Sequence, residues 1–465
     1  MTASFPRLSQ FKELIKEKIL FGNEPNPELL AIMTVYFVQG ILGLARLAVS
    51  FFLKDDLALS PAQVAALMGI ASLPWVTKPL FGFISDGLPL FGYRRRPYLI
   101  ISGILGAVSW LALGTIVHSP WAATTAILCT SLSMAISDVI VDSLVVERAR
   151  EESLEKSGSL QSLSWSCTAL GGLTTAYLSG LLLQHFSNQT VFSITATFPL
   201  IVSGVAWLIV EEKTSHKINV AGAKQQVRQL WAAITQKYIW LPTLFIFIWQ
   251  ATPGGESAIF FFVTNELGFE PEFLGRVRLV TSFASLLGIW LYQRFLKTVS
   301  FRTIFGWSTV ISAVLGMTTL LLVTHANRTL GIDDHWFSLG DSLILTVMGQ
   351  IAFMPVLVLS ARLCPAGVEA TLFALLMSVF NLAGLLSHEL GALLTKFLGV
   401  TQTDFSNLWL LVVIVNLSSL LPLPFLGWLP SGDPKIEEEK ENLVRQGLEE
   451  HETKGYLEKP LVPTI

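Results

Sequence analysis

Two aspartates, Asp138 and Asp142, stand four residues apart in apolar sequence, and a lysine, Lys78, interrupts another apolar stretch. On a helix an i, i+4 pair shares one face. Two carboxylates in a low-dielectric setting cannot both ionise cheaply, so such a pair can hold a proton and release it. Static readings stand beside this one. Lys78 can form a fixed salt bridge with Asp138, and Asp142 can belong to a structural cluster with the nearby Arg94, Arg95 and Arg96. Arg46, Glu256, Arg278, Asp341 and Glu389 are further charges in apolar surroundings, with Gln39, Gln250, Gln350 and Asn381 as neutral polar groups between. A charge at membrane depth is costly, which makes each of these a functional candidate. Other chemistry finds no footing. No glycine-rich phosphate loop, no grouping of nucleophile with base, and no metal spacing among the seven His and three Cys is present, so neither an enzyme nor a bound cofactor or metal is expected, nor a nucleic-acid partner.

The elements that must position these groups follow from composition. Of 465 residues 52% are hydrophobic and only 14% charged, against about 25% in a soluble protein. Mean hydropathy is +0.59. Apolar runs of about 20 residues, long enough to cross a bilayer as helices, recur along the chain. Twelve windows are expected, at 29–52, 61–85, 97–117, 120–145, 157–182, 190–210, 238–263, 274–296, 303–324, 336–361, 367–394 and 406–428. The fold class is therefore an all-α polytopic membrane protein. Of the 31 Lys and Arg, 24 fall in the two tails or in loops after even-numbered spans, which predicts that both termini are cytoplasmic.

The expected organisation is an amphipathic N-terminal segment (1–28), six spans (29–210), a cytoplasmic linker with an amphipathic stretch (211–237), six more spans (238–428) and a charged tail (429–465). At an offset of 212, Ala149-Arg150 falls on Ala361-Arg362, Ser166 on Ser378 and Gly172 on Gly384, which supports two halves related by an internal repeat. At 1.5 Å per residue, Lys78 and Asp138 lie on the cytoplasmic side of the span centres. Arg46, Glu256, Arg278, Asp341 and Glu389 lie towards the outside. Span seven contains Gln250-Ala-Thr-Pro253-Gly254-Gly255-Glu256, read as a gating break or a packing kink. Gly171, Gly172, Gly180, Gly384 and Gly391 are read as sites of close helix packing.

Between spans two and three the chain reads Gly82-Phe-Ile-Ser-Asp86-Gly-Leu-Pro-Leu-Phe-Gly92-Tyr-Arg94-Arg95-Arg96-Pro97. This resembles the signature loop of the major facilitator superfamily, with Asp86 and Gly92 about three residues further apart than usual. Here the glycines would allow close approach, and Asp86 with the arginines would hold a gate. Span four ends Ser137-Asp138-Val-Ile-Val-Asp142-Ser143-Leu-Val-Val-Glu147-Arg148-Ala149-Arg150, and span eleven opens Gly367-Val-Glu369-Ala-Thr371 and runs to Ser378 and Asn381. Together these motifs resemble the folate-biopterin transporter family, a branch of that superfamily.

The resemblance implies twelve helices in two pseudo-symmetric six-helix bundles in a bacterial-type cell membrane. It also implies alternating-access transport of folates, pterins and related antifolates, with protons as the coupling ion and the chain acting as a monomer. On that reading Arg46 and Arg278 are candidate clamps for a folate's two tail carboxylates, and Gln250, Glu256 and Asn381 candidate partners of the pterin ring. The bland alternatives are a fixed pair of Arg46 with Glu256 or Asp341, and snorkelling of Arg278 to the outer interface. Competing functions are a facilitator for another organic anion or a nucleoside, and a pigment- or complex-assembly factor on the same fold. The buried charges disfavour the last, which should prefer an aromatic and aliphatic lining.

Overall fold

The structure, a computed structural model, describes residues 24–149, 159–211, 213, 228, 231, 234–296, 298–363 and 369–430. The amphipathic segment expected before residue 24, most of the central linker and the charged tail lie outside these residues, as do the side chains of Asp86, Glu147, Arg148, Glu369 and Thr371.

Eleven described helices are long and apolar enough to cross a membrane: Pro27–Asp56, Pro61–Ser85, Arg96–Thr115, Pro120–Val145, Leu163–His185, Asn188–Leu208, Pro271–Leu296, Phe301–Val323, Asp334–Ser360, Leu372–Phe397 and Leu408–Trp428. The twelfth window is interrupted. It forms a helix over Lys237–Gln250 and a second over Glu256–Phe261, with non-helical residues between them. Span seven is therefore the one expected crossing that no single described helix fills, for the reason its Pro253-Gly254-Gly255 sequence gives. The helices start where capping chemistry says they should: Asn26 accepts from Leu29 N ahead of Pro27, and Ser60 and Gln63 close a capping box around Pro61.

An internal repeat shows in backbone detail at the ends of spans one and seven. Each closes in a wide π turn, over Phe52–Asp56 and Phe262–Glu266. Leu57 N bonds Phe52 O and Leu59 N bonds Leu53 O; Leu267 N bonds Phe262 O and Phe269 N bonds Val263 O. A left-handed residue follows each turn, Ala58 (φ 51°) and Gly268 (φ 68°), and then a proline opens the next helix, Pro61 and Pro271.

Within the first half, span one packs along span five and span three along span four. The seam between halves is made by span five against span eight and span two against span eleven. Glycine sets the closest approaches. A methyl on Gly180 would run into the backbone of Pro271 and Gly275, and one on Gly40 into Thr168, Gly171 and Gly172. The packing reading of Gly171, Gly180 and Gly391 stands on such contacts, whereas Gly172 and Gly384 would each accommodate a methyl.

Candidate functional site

Lys78 begins the second part of a broken span two. The helix over Leu73–Val76 ends at Thr77 and a new one starts at Lys78, with Pro79 in its first turn. Pro79 has no N–H to give the Trp75 carbonyl four residues back. That carbonyl accepts instead from Asn381 Nδ2 of span eleven, at 3.2 Å. The break aims Lys78 at span four, where its ammonium bridges Asp138 Oδ2 and, at 2.9 Å, Asp142 Oδ2. Tyr36 of span one donates to Asp142 Oδ1 at 2.5 Å. The Gln39 amide faces Asp138, although its Nε2 is buried without a partner in hydrogen-bond geometry. Asp142 thus lies in the Lys78 network with Asp138, and not in the alternative cluster with Arg94 to Arg96. The two carboxylates differ in setting: the Asp138 side chain is 14% exposed and that of Asp142 41%. One lysine between two carboxylates leaves a net negative charge, which a single proton cancels.

Span one carries this network towards a second one. Tyr36, Gln39, Gly43 and Arg46 follow at helical spacing on one face, and the ten residues from Tyr36 to Arg46 rise about 15 Å. At Leu42–Gly43 the helix tightens, with Gly43 N, Ala45 N and Arg46 N each bonding three residues back. The Gly43 carbonyl also accepts from Arg278 Nη2 of span eight at 3.2 Å, and Arg278 Nη1 donates to Ser179 Oγ of span five at 3.0 Å. Arg278 therefore does not snorkel; it reaches across the seam. The Arg46 side chain is exposed. The fixed pair with Glu256 or Asp341 is not formed among the described residues: Asp341 accepts from Thr318 Oγ1 at 2.5 Å and Thr319 Oγ1 at 3.0 Å.

The span-seven break is braced by span eleven. Gly254 N bonds Ser387 O at 3.2 Å, Ser387 Oγ bonds Thr252 O at 2.6 Å, and a methyl on Gly391 would collide with the Gly254 carbonyl. Gln250 lies against Gly384, and Glu256 is exposed with its carboxylate over Gly254. These two and Asn381 occupy spans seven and eleven, across the seam from the span-one stripe. The Asn381 amide nitrogen is already engaged by Trp75.

The model of the BT1 family matches residues 39–446. A folate-biopterin transporter of Synechocystis sp. is 64% identical over 430 residues, covering 92% of this chain and 87% of that protein. The chain belongs to the BT1 family. A probable folate-biopterin transporter of Arabidopsis thaliana is 34% identical over 422 residues, covering 86% and 82% of the two chains. A crystal structure of a variant of the nucleoside transporter NupG superposes with a TM-score of 0.66 at 15% identity, covering 87% of this chain and 100% of that one, a likeness of fold alone. This BT1 protein is a multi-pass membrane protein with the major facilitator fold.

In the BT1 chain the backbone of the loop between spans two and three is held by an acid that follows span six. The backbone N–H groups of Arg94, Arg95 and Arg96 all converge on the Glu211 carboxylate, with Arg95 N at 3.0 Å from Oε1 and Arg96 N at 3.1 Å from Oε2. An acid at a helix start satisfies donors that have no partner within the helix. Arg95 Nη1 donates to Ser85 Oγ at 3.2 Å and Arg96 Nη2 to Ile209 O at 2.7 Å. The Asp86 side chain lies outside the described residues. The three extra loop residues are absorbed by a tight turn, in which Leu90 and Tyr93 exchange both backbone hydrogen bonds around Phe91 (φ 53°) and Gly92 (φ 83°). Gly92 therefore serves its positive φ and not a close helix approach. Gly82 makes only ordinary contact with Val139.

Several residues in the BT1 protein went unmarked in the sequence. Tyr36 could have been found, since it stands three residues before Gln39 on the same helical face. Glu211 carried a weaker signal, an acid just past a span. A set of polar links between halves, at the end of the bundle where spans one and two join, carried none. Lys54 Nζ bonds Asn265 Oδ1 at 2.7 Å, and Gln402 Nε2 bonds Leu59 O at 2.7 Å. Tyr177 bonds Glu272 at 3.0 Å, and Gln184 bonds Glu270 at 3.3 Å.

Proposed function

We propose that this chain is a secondary transporter of folates and pterins, and of antifolates sharing their plan, that works by alternating access and is driven by protons. The observation that carries the reading is the polar stripe of span one, which runs from a carboxylate–lysine network to two arginines of the same sign. An elongated cargo with a hydrogen-bonding ring at one end and carboxylates at the other matches that polarity. Arg46 and Arg278 then take the carboxylates. Gln250, Glu256 and the Asn381 carbonyl oxygen, on the facing spans, take the ring's amino group and nitrogens. The names of the Synechocystis and Arabidopsis relatives support the same cargo.

Protonation couples through Lys78, Asp138 and Asp142. A proton on Asp138 neutralises the network and loosens its hold on Lys78, just beyond the break in span two at which the Trp75 carbonyl is tied to Asn381 of the second half. On this reading the protein acts as a monomer in a bacterial-type cell membrane, and the Lys and Arg distribution supports placing both termini in the cytoplasm.

The test is uptake of labelled folate into proteoliposomes with and without an imposed pH gradient. Gradient-dependent, saturable accumulation is expected, and its absence would sink the reading. In Asp138→Asn, accumulation against a gradient should be lost while counterflow exchange persists. Loss of both would instead assign Asp138 to binding or folding.

A further inference from the structure

Span nine breaks after Gly316, and an acid of span ten sits in the break. The helix Phe301–Gly316 gives way at Met317, and a new one opens at Thr319. Asn416 of span twelve fills the space that a side chain on Gly316 would take. From span ten Asp341, seven residues or about 10 Å into the helix Asp334–Arg362, meets both threonines of the break. Thr318 Oγ1 lies 2.5 Å from Oδ1, and Thr319 Oγ1 lies 3.0 Å from Oδ2. The same Thr318 hydroxyl also bonds the Leu315 carbonyl three residues back, as Thr130 and Thr281 bond theirs. Singly, each contact can be a threonine donating. Together they need one hydrogen more than the threonines have. Leu315 O and an ionised Asp341 Oδ1 are both pure acceptors, and Thr318 has a single hydroxyl hydrogen. Directed at either oxygen, that hydrogen leaves the other facing a bare lone pair at hydrogen-bond distance. A hydrogen on Asp341 Oδ1 removes the conflict: Thr318 donates to Leu315 and accepts from Asp341, and Thr319 donates to Oδ2.

No cation compensates this acid among the described residues. The one charged residue on the span-nine helix is Arg302, at its opposite end and bonded to the Gly427 and Leu429 carbonyls. Towards the same end as Asp341, span eight brings Glu272 and Arg276, which pair with each other, and Arg278, held by Ser179 and the Gly43 carbonyl. At the start of span ten Asp334 holds Arg328, and His335 faces Asp333. Span eleven carries His388, Glu389 and Lys396 in its outer part, and span twelve has no charged residue. An ionised carboxylate at membrane depth with only hydroxyls for partners is costly.

We propose that Asp341 is a proton-binding site of the second half, occupied in this conformation, and that its proton fastens span ten to the break in span nine. Loss of the proton sets an acceptor against an acceptor, so the Thr318 contact opens and the break is released from span ten. In the first half a lysine offsets the carboxylates; here only a proton can. The assignment goes beyond the proton-driven reading above and stands without it, since neither cargo nor gradient enters the argument.

The test is infrared spectroscopy of the purified full chain at neutral pH in a detergent without ester groups, where the C=O stretch of a protonated carboxyl stands apart from the carboxylate bands. Asp341→Asn is expected to lose one protonated-carboxyl band and no carboxylate band. Thr319→Val, which removes the bond to Oδ2, should keep that band and move it to higher frequency. Asp138→Asn, which tests the proton-driven reading, should leave it in place. Asparagine offers one donor and one acceptor, as the neutral acid does, so the thermal unfolding midpoint of Asp341→Asn should stay near that of the wild type while Asp341→Ala lowers it. Loss of a carboxylate band instead of a protonated one, or an asparagine variant as unstable as the alanine one, overturns the proton site. Should Asp341→Asn not yield folded protein, the Thr319→Val shift decides alone, and an unmoved or missing band overturns the proposal.

Discussion

At the Trp75 carbonyl, a proline on one span creates a need that an asparagine on another meets. Pro79 removes the N–H that would have served Trp75, and Asn381 supplies a substitute from across the seam. An unsatisfied buried carbonyl costs about 1–3 kcal/mol, so Asn381→Ala should lower the thermal unfolding midpoint in detergent. Pro79→Ala restores the missing donor. The double variant Pro79→Ala with Asn381→Ala should therefore be more stable than Asn381→Ala alone; simple addition of two losses would show that the carbonyl is not what couples them. The Lys78 network follows similar logic at higher stakes. Removing one partner of a largely buried charge cluster typically costs about 3–5 kcal/mol, because the groups left behind stay desolvated.

At the scale of elements, the matched turns after spans one and seven are informative because their sequences barely agree. Phe51-Phe52 and Phe261-Phe262, Leu57 and Leu267, and Pro61 and Pro271 recur at an offset of 210, while the residues between differ. What recurs is a π turn, a left-handed residue and a proline-led helix. Gly268 fits its place. Ala58 pays the steric cost of the left-handed region, about 1–2 kcal/mol for a residue with a Cβ. Ala58→Gly should accordingly raise the unfolding midpoint, with the gain reduced by glycine's greater freedom in the unfolded chain. An unchanged or lowered midpoint would mean that contacts of the Ala58 methyl outweigh the strain. The span-seven break, by contrast, was legible directly, since Pro253 and two glycines cannot continue a helix without help; that its help comes from Ser387 and Gly391 was not.

At the scale of the molecule, four polar links fasten the halves at the end where spans one and two join, through Lys54, Leu59, Tyr177 and Gln184 on one side and Asn265, Gln402, Glu272 and Glu270 on the other. Each is a hydrogen bond between groups that water can serve almost as well, so the set can open at modest cost. In a background without native cysteines, Lys54→Cys and Asn265→Cys joined by a bifunctional thiol-reactive reagent of matched length should stop uptake, with activity returning when a cleavable bridge is reduced. Continued turnover in the bridged protein would show that this end need not part.

The sequence by itself determined which stretches are long and apolar enough to cross a membrane and which charges they carry. Those facts follow from one-dimensional quantities, the length of apolar runs and a fixed rise per residue. Partnership was decided only by the tertiary structure. Depth says nothing of azimuth, and which way each helix face points is set by how helices pack, above all where Gly40, Gly180 and Gly275 let backbones meet. Hence Asp142 turned to Lys78 and Tyr36, Asp341 to two threonines, and Arg278 to Ser179 and the Gly43 carbonyl of the other half.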